Sequence, residues 1–268
     1  MSDWGSLKSE LDLWHSEGRI ATFWWRDDDV IAPTPALERL LHLKDHFDIP
    51  LALAVIPSEV DAELVNYLES CEILQHGFGH QNFAADGAKK SEFPEARARN
   101  EIERDILQGK ETLTRIFTDQ FAPIMVPPWN RIANNHIGVL AGLGFIGISR
   151  YKARKSALIR PALAEINTHI DPINWRGDRS VLPETTLLEM VLEHLMARRQ
   201  GRADKQEPTG LLTHHLVHDE ETWAGVYKLL ATLTDHPAVR FLTIEGALAL
   251  VDGMPEDVFM REAEQAEE

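Results

Sequence analysis

Three consecutive carboxylates follow an apolar, aromatic-rich stretch near the N-terminus. Residues 23–30 read Phe-Trp-Trp-Arg-Asp-Asp-Asp-Val, and residues 20–25 have the composition of a buried strand. Like charges this close repel, and removing them from water is costly unless a cation or hydrogen-bond donors meet them. Two interpretations follow. Either a metal ion compensates the carboxylates, or they form a solvated Asp-rich turn at the strand end.

Two histidines form a second candidate group. His76 and His80 lie four residues apart in His-Gly-Phe-Gly-His. If this segment is helical, both imidazoles share one face, where neighbouring Cβ atoms lie roughly 5–6 Å apart. The glycines are poor helix formers, so an ordinary polar loop is the alternative. Together with one carboxylate, the two imidazoles would make a three-ligand site with open positions, which is typical of catalytic zinc.

Further polar residues follow other apolar segments. Asp171 precedes a proline, an arrangement that is also common in turns. His214 and His215 follow the apolar residues 210–213. Successive side chains of a strand face opposite ways, so only one of these histidines can reach a shared site. Either histidine could equally be a rim or core residue held by a hydrogen bond.

Strand-length apolar runs alternate with amphipathic segments along the chain. Predicted strands cover residues 20–25, 51–56, 72–75, 121–126, 144–149, 164–170, 210–213 and 239–242. Predicted helices begin near residues 7, 35, 58, 94, 135, 184, 220 and 244. This alternation, without a break in composition, predicts a single parallel α/β domain.

A barrel explains where the unusual residues fall. They follow the carboxyl ends of different predicted strands, and in a β/α barrel those ends share one rim. The chain has no Gly-x-Gly-x-x-Gly or phosphate-loop pattern, which disfavours a nucleotide-binding fold. We therefore expect one domain over residues 1–268 with seven or eight parallel strands, a short N-terminal helix at about 5–17 and a frayed acidic tail at about 254–268.

Charge and cysteine content restrict the partners. The 268 residues include 27 basic and 43 acidic side chains, a formal charge of −16, which disfavours nucleic acid and anionic membranes as partners. The single cysteine, Cys71, rules out an intramolecular disulfide and fits a reducing compartment. No secretory signal or membrane span is predicted. We expect a cytoplasmic protein with a small-molecule or carbohydrate substrate, and the sequence leaves its oligomeric state open.

Taken in order, these motifs resemble the polysaccharide deacetylase family, also called the NodB-homology or carbohydrate esterase family 4 group. The resemblance covers residues 22–215 and rests on an acidic strand end, His-x-x-x-His, Pro-Pro-Trp, an Asp followed by a Trp, and Leu-x-His. It implies a distorted β/α barrel that removes acetyl groups from N-acetylated sugars with a divalent metal. Zn²⁺ is the expected ion, with Co²⁺, Ni²⁺ or Mn²⁺ as alternatives.

The resemblance also assigns roles to the acidic and histidine motifs. It makes Asp28 the catalytic base and Asp29 a metal ligand, with the preceding pair, Asp27 and Asp28, as the alternative register. It makes His76 and His80 the other metal ligands.

The third motif departs from the family pattern. Val126 stands where an arginine that orients the catalytic Asp is usual, and Arg26 or Arg131 is the candidate replacement. The backbone N–H of Trp129 would help to hold the oxyanion.

The last two motifs complete the implied site. Asp171 and Trp175 take a supporting role, and His214 is the general acid, with His215 as the alternative.

The expected reaction is amide hydrolysis in which the metal activates the attacking water, Asp28 takes its proton and His214 protonates the leaving nitrogen. Two alternatives stay open: hydrolysis of another non-peptide C–N bond on the same barrel, or a catalytically degenerate barrel that binds carbohydrate.

Overall fold

Nine strands join in one sheet in the computed structural model, which describes residues 2–68 and 70–254. The strands are β1 (Ala21–Val30), β2 (Ala52–Val55), β3 (Glu72–His76), β4 (Phe121–Val126), β5 (Gly147–Ile148), β6 (Leu158–Arg160), β7 (Leu163–Glu165), β8 (Thr209–Thr213) and β9 (Val239–Phe241). The α-helices are α1 (Trp4–Ser16), α2 (Pro35–Phe47), α3 (Arg99–Phe117), α4 (Ile137–Gly142), α5 (Glu184–Arg199), α6 (Glu220–Thr234) and α7 (Ile244–Leu248). No helix in the described part of the chain is both long and apolar enough to cross a bilayer.

The sheet curls into a distorted barrel. Its strand order is β6-β7-β5-β4-β3-β2-β1-β8, with β9 beside the first residues of β1; all pairs are parallel except β6 with β7. The backbone after β7 turns onto β8, where the N–H groups of His169 and Ile170 donate to the carbonyl of Gly210 at 2.7 and 3.0 Å. Eight strands therefore run parallel, and the predicted barrel of seven or eight parallel strands is confirmed.

Alternating side chains divide the core into an inner and an outer layer. Trp24 packs inside with small and branched residues from neighbouring strands, including Ala52, Ala54 and Val126. Phe23 and the other outward residues pack against the apolar faces of α1, α2, α5 and α6. This two-sided burial matches the continuous apolar runs of the sequence, because strands of a parallel sheet are covered on both faces.

Two of the predicted elements differ from the structure, and a third prediction lies outside the described residues. β1 does not end before the acidic residues but continues through them to Val30. The helix expected after Ser58 is replaced by turns and a short 3-10 helix, Ala62–Asn66, because Asp61 caps it and the N–H of Ser58 bonds the carbonyl of Phe78. The acidic tail lies outside the described residues beyond Met254.

A buried carboxylate fastens α5 to the start of β8. The side chain of Glu207 is fully buried, and its two oxygens lie 3.4 Å from His169 Nε2 and 3.5 Å from His194 Nε2. It also accepts from the backbone N–H of Arg154 at 3.0 Å. Burial, together with the neighbouring His169, lowers the pKa of His194 to about 3, so this imidazole is neutral in the folded chain.

We expect His194 to make the folded protein sensitive to acid. The unfolded chain takes up a proton near the ordinary pKa of 6.5, and the folded chain does so only near 3. Stability from this residue is therefore complete above pH 6.5 and is lost as pH falls, by up to about 1.4 kcal/mol per pH unit. In urea unfolding, His194→Asn should show a shallower decline between about pH 6.5 and 4 than wild type, and His42→Asn, on an exposed position, should not. Equal slopes for wild type and His194→Asn would refute this account.

Candidate active site

The acidic end of β1 is bent by an extra residue. Asp27 pairs with Leu53 and Val30 with Val55, so three steps on β1 oppose two on β2. Asp29 has φ +68°, in the left-handed region that is rare for residues other than glycine. In a regular strand Asp28 and Asp29 would face opposite sides. The bulge turns both toward the rim of the barrel.

Asp29 faces both predicted histidine ligands. Its Oδ1 lies 3.1 Å from His76 Nε2 and 3.3 Å from His80 Nε2. One ligand atom from each of the three residues lies within 4.8 Å of the others. Burial pushes the pKa of Asp29 up, but the attraction of His76 and His80 outweighs it and holds the carboxyl far below its ordinary range. A carboxylate and two imidazoles facing one point are a donor set suited to a divalent transition metal.

The tautomer of His76 fits metal binding. Its Nδ1 lies 3.0 Å from the carbonyl of Val126, so Nδ1 carries the proton and donates it. In the neutral ring, the form that binds a metal, the lone pair of Nε2 is then directed at the space shared with Asp29 and His80. The side chains of Asp29 and His80 remain 30% and 26% exposed, so a substrate can approach the donor set from solvent.

His169, His194 and Glu207 have similar ligand types but the opposite tautomer. His169 Nδ1 accepts from the backbone N–H of Gly210 at 2.9 Å, so in the neutral ring the proton is on Nε2. Nε2 then donates toward Glu207 and has no lone pair for a metal. We interpret this second cluster as a structural clamp, in which two imidazoles face a buried carboxylate.

The segment that carries His80 is not helical, so of the two alternatives that the sequence leaves open the loop is the one observed. Gly77 and His80 have φ of +57° and +52°, and the loop folds back to place the two imidazole centroids 5.1 Å apart. Glu92 fixes this loop, because its buried carboxylate accepts from the N–H groups of Phe78 at 3.1 Å and Gly79 at 2.8 Å. Sequence analysis missed Glu92, which lies in a polar segment with no distinguishing motif.

Arg26 is the candidate replacement for the third-motif arginine that contacts Asp28. Its buried guanidinium binds Asp28 through Nε at 2.8 Å and Nη2 at 3.0 Å, and it also donates to Ser149 and Asn130. The other candidate, Arg131, is exposed and donates to the carbonyl of Lys90. Of the two, Arg26 is therefore the arginine that orients Asp28.

Asp27 points away from the histidine pair. It is fully buried and accepts from the hydroxyl of Thr213 at 2.7 Å and from His215 Nδ1 at 2.5 Å. Burial tends to raise the pKa of Asp27, but His215 and these hydrogen bonds have the larger effect. The pKa lies below its ordinary value, so the carboxyl stays ionised. The geometry therefore favours the Asp28 and Asp29 register and leaves His215 as the partner of Asp27.

His214 lies beside Asp28. Its Nε2 is 3.9 Å from Asp28 Oδ2, and its ring contacts the Trp175 ring edge-on with centroids 4.7 Å apart. Asp171 orients Trp175 by accepting from its indole N–H at 2.7 Å. Burial raises the pKa of Asp171 above its ordinary value.

Trp129 forms a wall of the site. Its backbone is left-handed, with φ +56°, which is uncommon and costly for a bulky residue. This conformation places its ring against His80, with centroids 4.5 Å apart. The predicted residues therefore converge: donor set and base at the centre, with His214 beside the base and Trp129 beside His80.

Comparison with known proteins supports the fold. No family model and no curated protein sequence matches the chain. Among solved structures, a protein from Mycobacterium smegmatis described as a polysaccharide deacetylase has TM-score 0.66 at 15% identity, covering 87% of this chain and 91% of that one. A peptidoglycan N-acetylglucosamine deacetylase (TM-score 0.55, 14% identity, 88% and 95% covered) and an allantoinase (0.60, 12%, 85% and 89%) are also similar. The chain has the fold of the polysaccharide deacetylases of carbohydrate esterase family 4.

The Asp29, His76 and His80 cluster is expected to bind a metal, and the His169, His194 and Glu207 cluster is not. Elemental analysis should find about one equivalent of a divalent transition metal in the wild type, as expected for a single three-ligand site. The metal should be lost in Asp29→Asn and in His80→Ala, which remove a ligand. It should be retained in His194→Asn, the matched control. Loss of metal in the control, or retention in both ligand variants, would contradict the tautomer assignment.

Gly77 is expected to be essential for the shape of the histidine loop. A Cβ there would lie 2.0 Å from Glu92 Oε2 and 2.6 Å from the ring of Pro128. Gly87 also has positive φ, +78°, but open space around its Cβ position. Gly77→Ala should therefore weaken metal binding, whereas Gly87→Ala should show only the backbone strain, about 1 kcal/mol, in unfolding experiments. Equal metal affinity in the two variants would show that the loop tolerates the clash.

Proposed function

We propose that this protein is a metal-dependent hydrolase that removes an acetyl group from an N-acetylated sugar or a similar small amide. The observation that carries the proposal is the position of Asp28. This buried carboxylate is held by Arg26, and it is the chain neighbour of Asp29, which belongs to the donor set with His76 and His80. A metal-binding protein without turnover would have no need for a second oriented carboxylate at that point.

Asp29, His76 and His80 would hold the ion. When bound, Zn²⁺ or a similar cation polarises an amide carbonyl and lowers the pKa of water toward roughly 7. The open side of the donor set, where Asp29 and His80 are partly exposed, is where the acyl group would bind, beside Trp129.

Asp28 acts as the general base in this proposal. Arg26 contacts both of its oxygens, which fixes the carboxylate plane while leaving lone pairs to accept a proton from the attacking water. Because Arg26 is buried and held in turn by Ser149 and Asn130, the carboxylate is oriented before substrate arrives.

His214 supplies the proton that the leaving nitrogen requires. Its imidazole lies beside Asp28 and against Trp175, close to where the scissile bond of a substrate at the donor set would lie. A positioned acid or base of this kind contributes typically 10²–10⁴ in rate. The backbone N–H of Trp129 is the proposed donor to the oxyanion, since this residue borders the donor set through His80.

Hydrolysis of another C–N bond is the second candidate. The similarity to an allantoinase, at TM-score 0.60, supports it, because the same barrel is found in an enzyme with that name. The two candidates share the donor set and base and differ in the acyl group that would bind there. Parallel assays of acetate release and of ring opening of a cyclic ureide separate them.

Removal of the base should separate chemistry from metal binding. We expect Asp28→Asn to retain its metal and to lose about 10²–10⁴ in kcat for acetate release from N-acetylated sugars, with a small change in KM. Arg26→Gln should lower kcat in the same direction, since it frees the carboxylate that it orients. Wild-type activity in metal-loaded Asp28→Asn would exclude Asp28 as the base.

A further inference from the structure

Exposed cations without acidic partners lie at the mouth of the site. They are Lys90, Arg131, Arg176 and Arg179, and among the described residues none has a carboxylate oxygen within 4.0 Å. Other exposed arginines of the described chain also lack a carboxylate partner, as Arg115 and Arg240 do, whereas Arg39 pairs with Glu220 at 2.6 Å. The position of the four cations beside Trp129 and Trp175 is therefore what distinguishes them.

One pair of these cations lies beside Trp129. Lys90 Nζ is 5.8 Å from the centre of the Trp129 ring, and Trp129 in turn contacts His80. Arg131 donates to the backbone carbonyl of Lys90 at 3.0 Å, which keeps the two residues together. Lys90 and Arg131 are therefore close to the donor set, because Trp129 lies beside Lys90 and also contacts His80.

The other pair lies beside Trp175. Arg179 Cζ is 5.9 Å from the centre of the Trp175 ring, which contacts His214. Arg176 belongs to the same turn. The acid of this turn, Asp178, accepts instead from the N–H of Ser180 at 3.1 Å and from its hydroxyl at 2.6 Å. The guanidinium groups are thus left available to an external anion.

We propose that the natural substrate carries an anionic group, a phosphate or a carboxylate, next to its N-acetylated sugar. This rests on the deacetylase function proposed above. Cations beside Trp129 and beside Trp175 attract an anion against the repulsion of a chain with charge −16. Guanidinium groups suit the oxygens of phosphate and carboxylate in particular. A neutral polysaccharide would gain nothing from them.

The test compares three acetylated probes on the metal-loaded enzyme: N-acetylglucosamine, N-acetylglucosamine 1-phosphate and N-acetylmuramic acid. We expect kcat/KM for at least one anionic probe to exceed that for N-acetylglucosamine by about tenfold at low salt, and the preference to shrink as ionic strength rises. The phosphate and carboxylate probes distinguish the two sources of negative charge. Equal kcat/KM for all three would overturn the inference.

A charge-matched pair of variants assigns the effect to the rim. Lys90→Gln/Arg179→Gln should raise KM for the preferred anionic probe by about tenfold, with kcat and the neutral probe little changed. Arg115→Gln/Arg240→Gln removes two exposed charges at the end of α3 and on β9, away from the mouth, and should leave all KM values unchanged. Equal effects of the two double variants on KM would show that the preference for anionic probes depends only on net charge. That result would refute a role for the cations beside Trp129 and Trp175.

A failure of the proposed deacetylase function would give a different pattern of results from a failure of this inference. If metal-loaded wild type releases no acetate from any probe, binding of the same probes to Asp28→Asn by calorimetry still tests the rim. Tighter binding of an anionic probe than of N-acetylglucosamine, lost in Lys90→Gln/Arg179→Gln, would support the anionic ligand and reject deacetylation. Equal binding of all probes would overturn the inference on its own.

Discussion

The structure depends on how one buried strand accommodates three adjacent carboxylates. Left alone, the negative charges of Asp27, Asp28 and Asp29 would repel one another and oppose burial. Each instead has a different partner: His215 on the outer side of the barrel, Arg26 inside it, and the His76 and His80 pair at the rim. In the proposed mechanism the same side chain type performs three tasks, as a structural anchor, an oriented base and a metal ligand. Environment, rather than residue identity, separates these roles.

A rigid scaffold makes this separation possible. β1 lies between β2 and β8 with β9 beside its first residues, so its backbone is fixed on both sides, and the bulge at Asp29 is the one local distortion that brings two neighbouring carboxylates to the same rim. The loops add the partners: Glu92 shapes the histidine loop, and the left-handed backbone of Trp129 brings its ring to His80. Four of the nine non-glycine residues with positive φ in the described chain, Asp29, His80, Trp129 and Asn130, lie at the proposed site, as expected where the surrounding structure over-determines a site. The buried Glu207 clamp at the start of β8 stabilises the barrel without taking part in that chemistry.

Much of this arrangement could be predicted from sequence, because parallel strands of a barrel carry their polar ends to one rim. The apolar runs predicted the strands, and the residues after them met as expected. What the sequence could not reveal was backbone detail. Regular alternation of side chains along β1 would place Asp28 and Asp29 on opposite faces of the sheet. The bulge brings both side chains to the rim of the barrel. Helical spacing suggested how His76 and His80 meet, but a glycine loop with positive φ does so instead. Arg26 was one of two candidates, and its burial, which no local pattern encodes, distinguishes it from Arg131.

The central claim is that Asp29, His76 and His80 hold a catalytic divalent metal while the chemically similar His169, His194 and Glu207 do not. Anomalous diffraction from crystals soaked in Co²⁺ tests it most directly. The account predicts one strong peak, about 2.0–2.2 Å from the ligand atoms of Asp29, His76 and His80, with an exposed coordination position beside Asp28. A peak between His169 and His194, or none at Asp29 in well-soaked crystals, would contradict both the tautomer assignment and the proposed reaction.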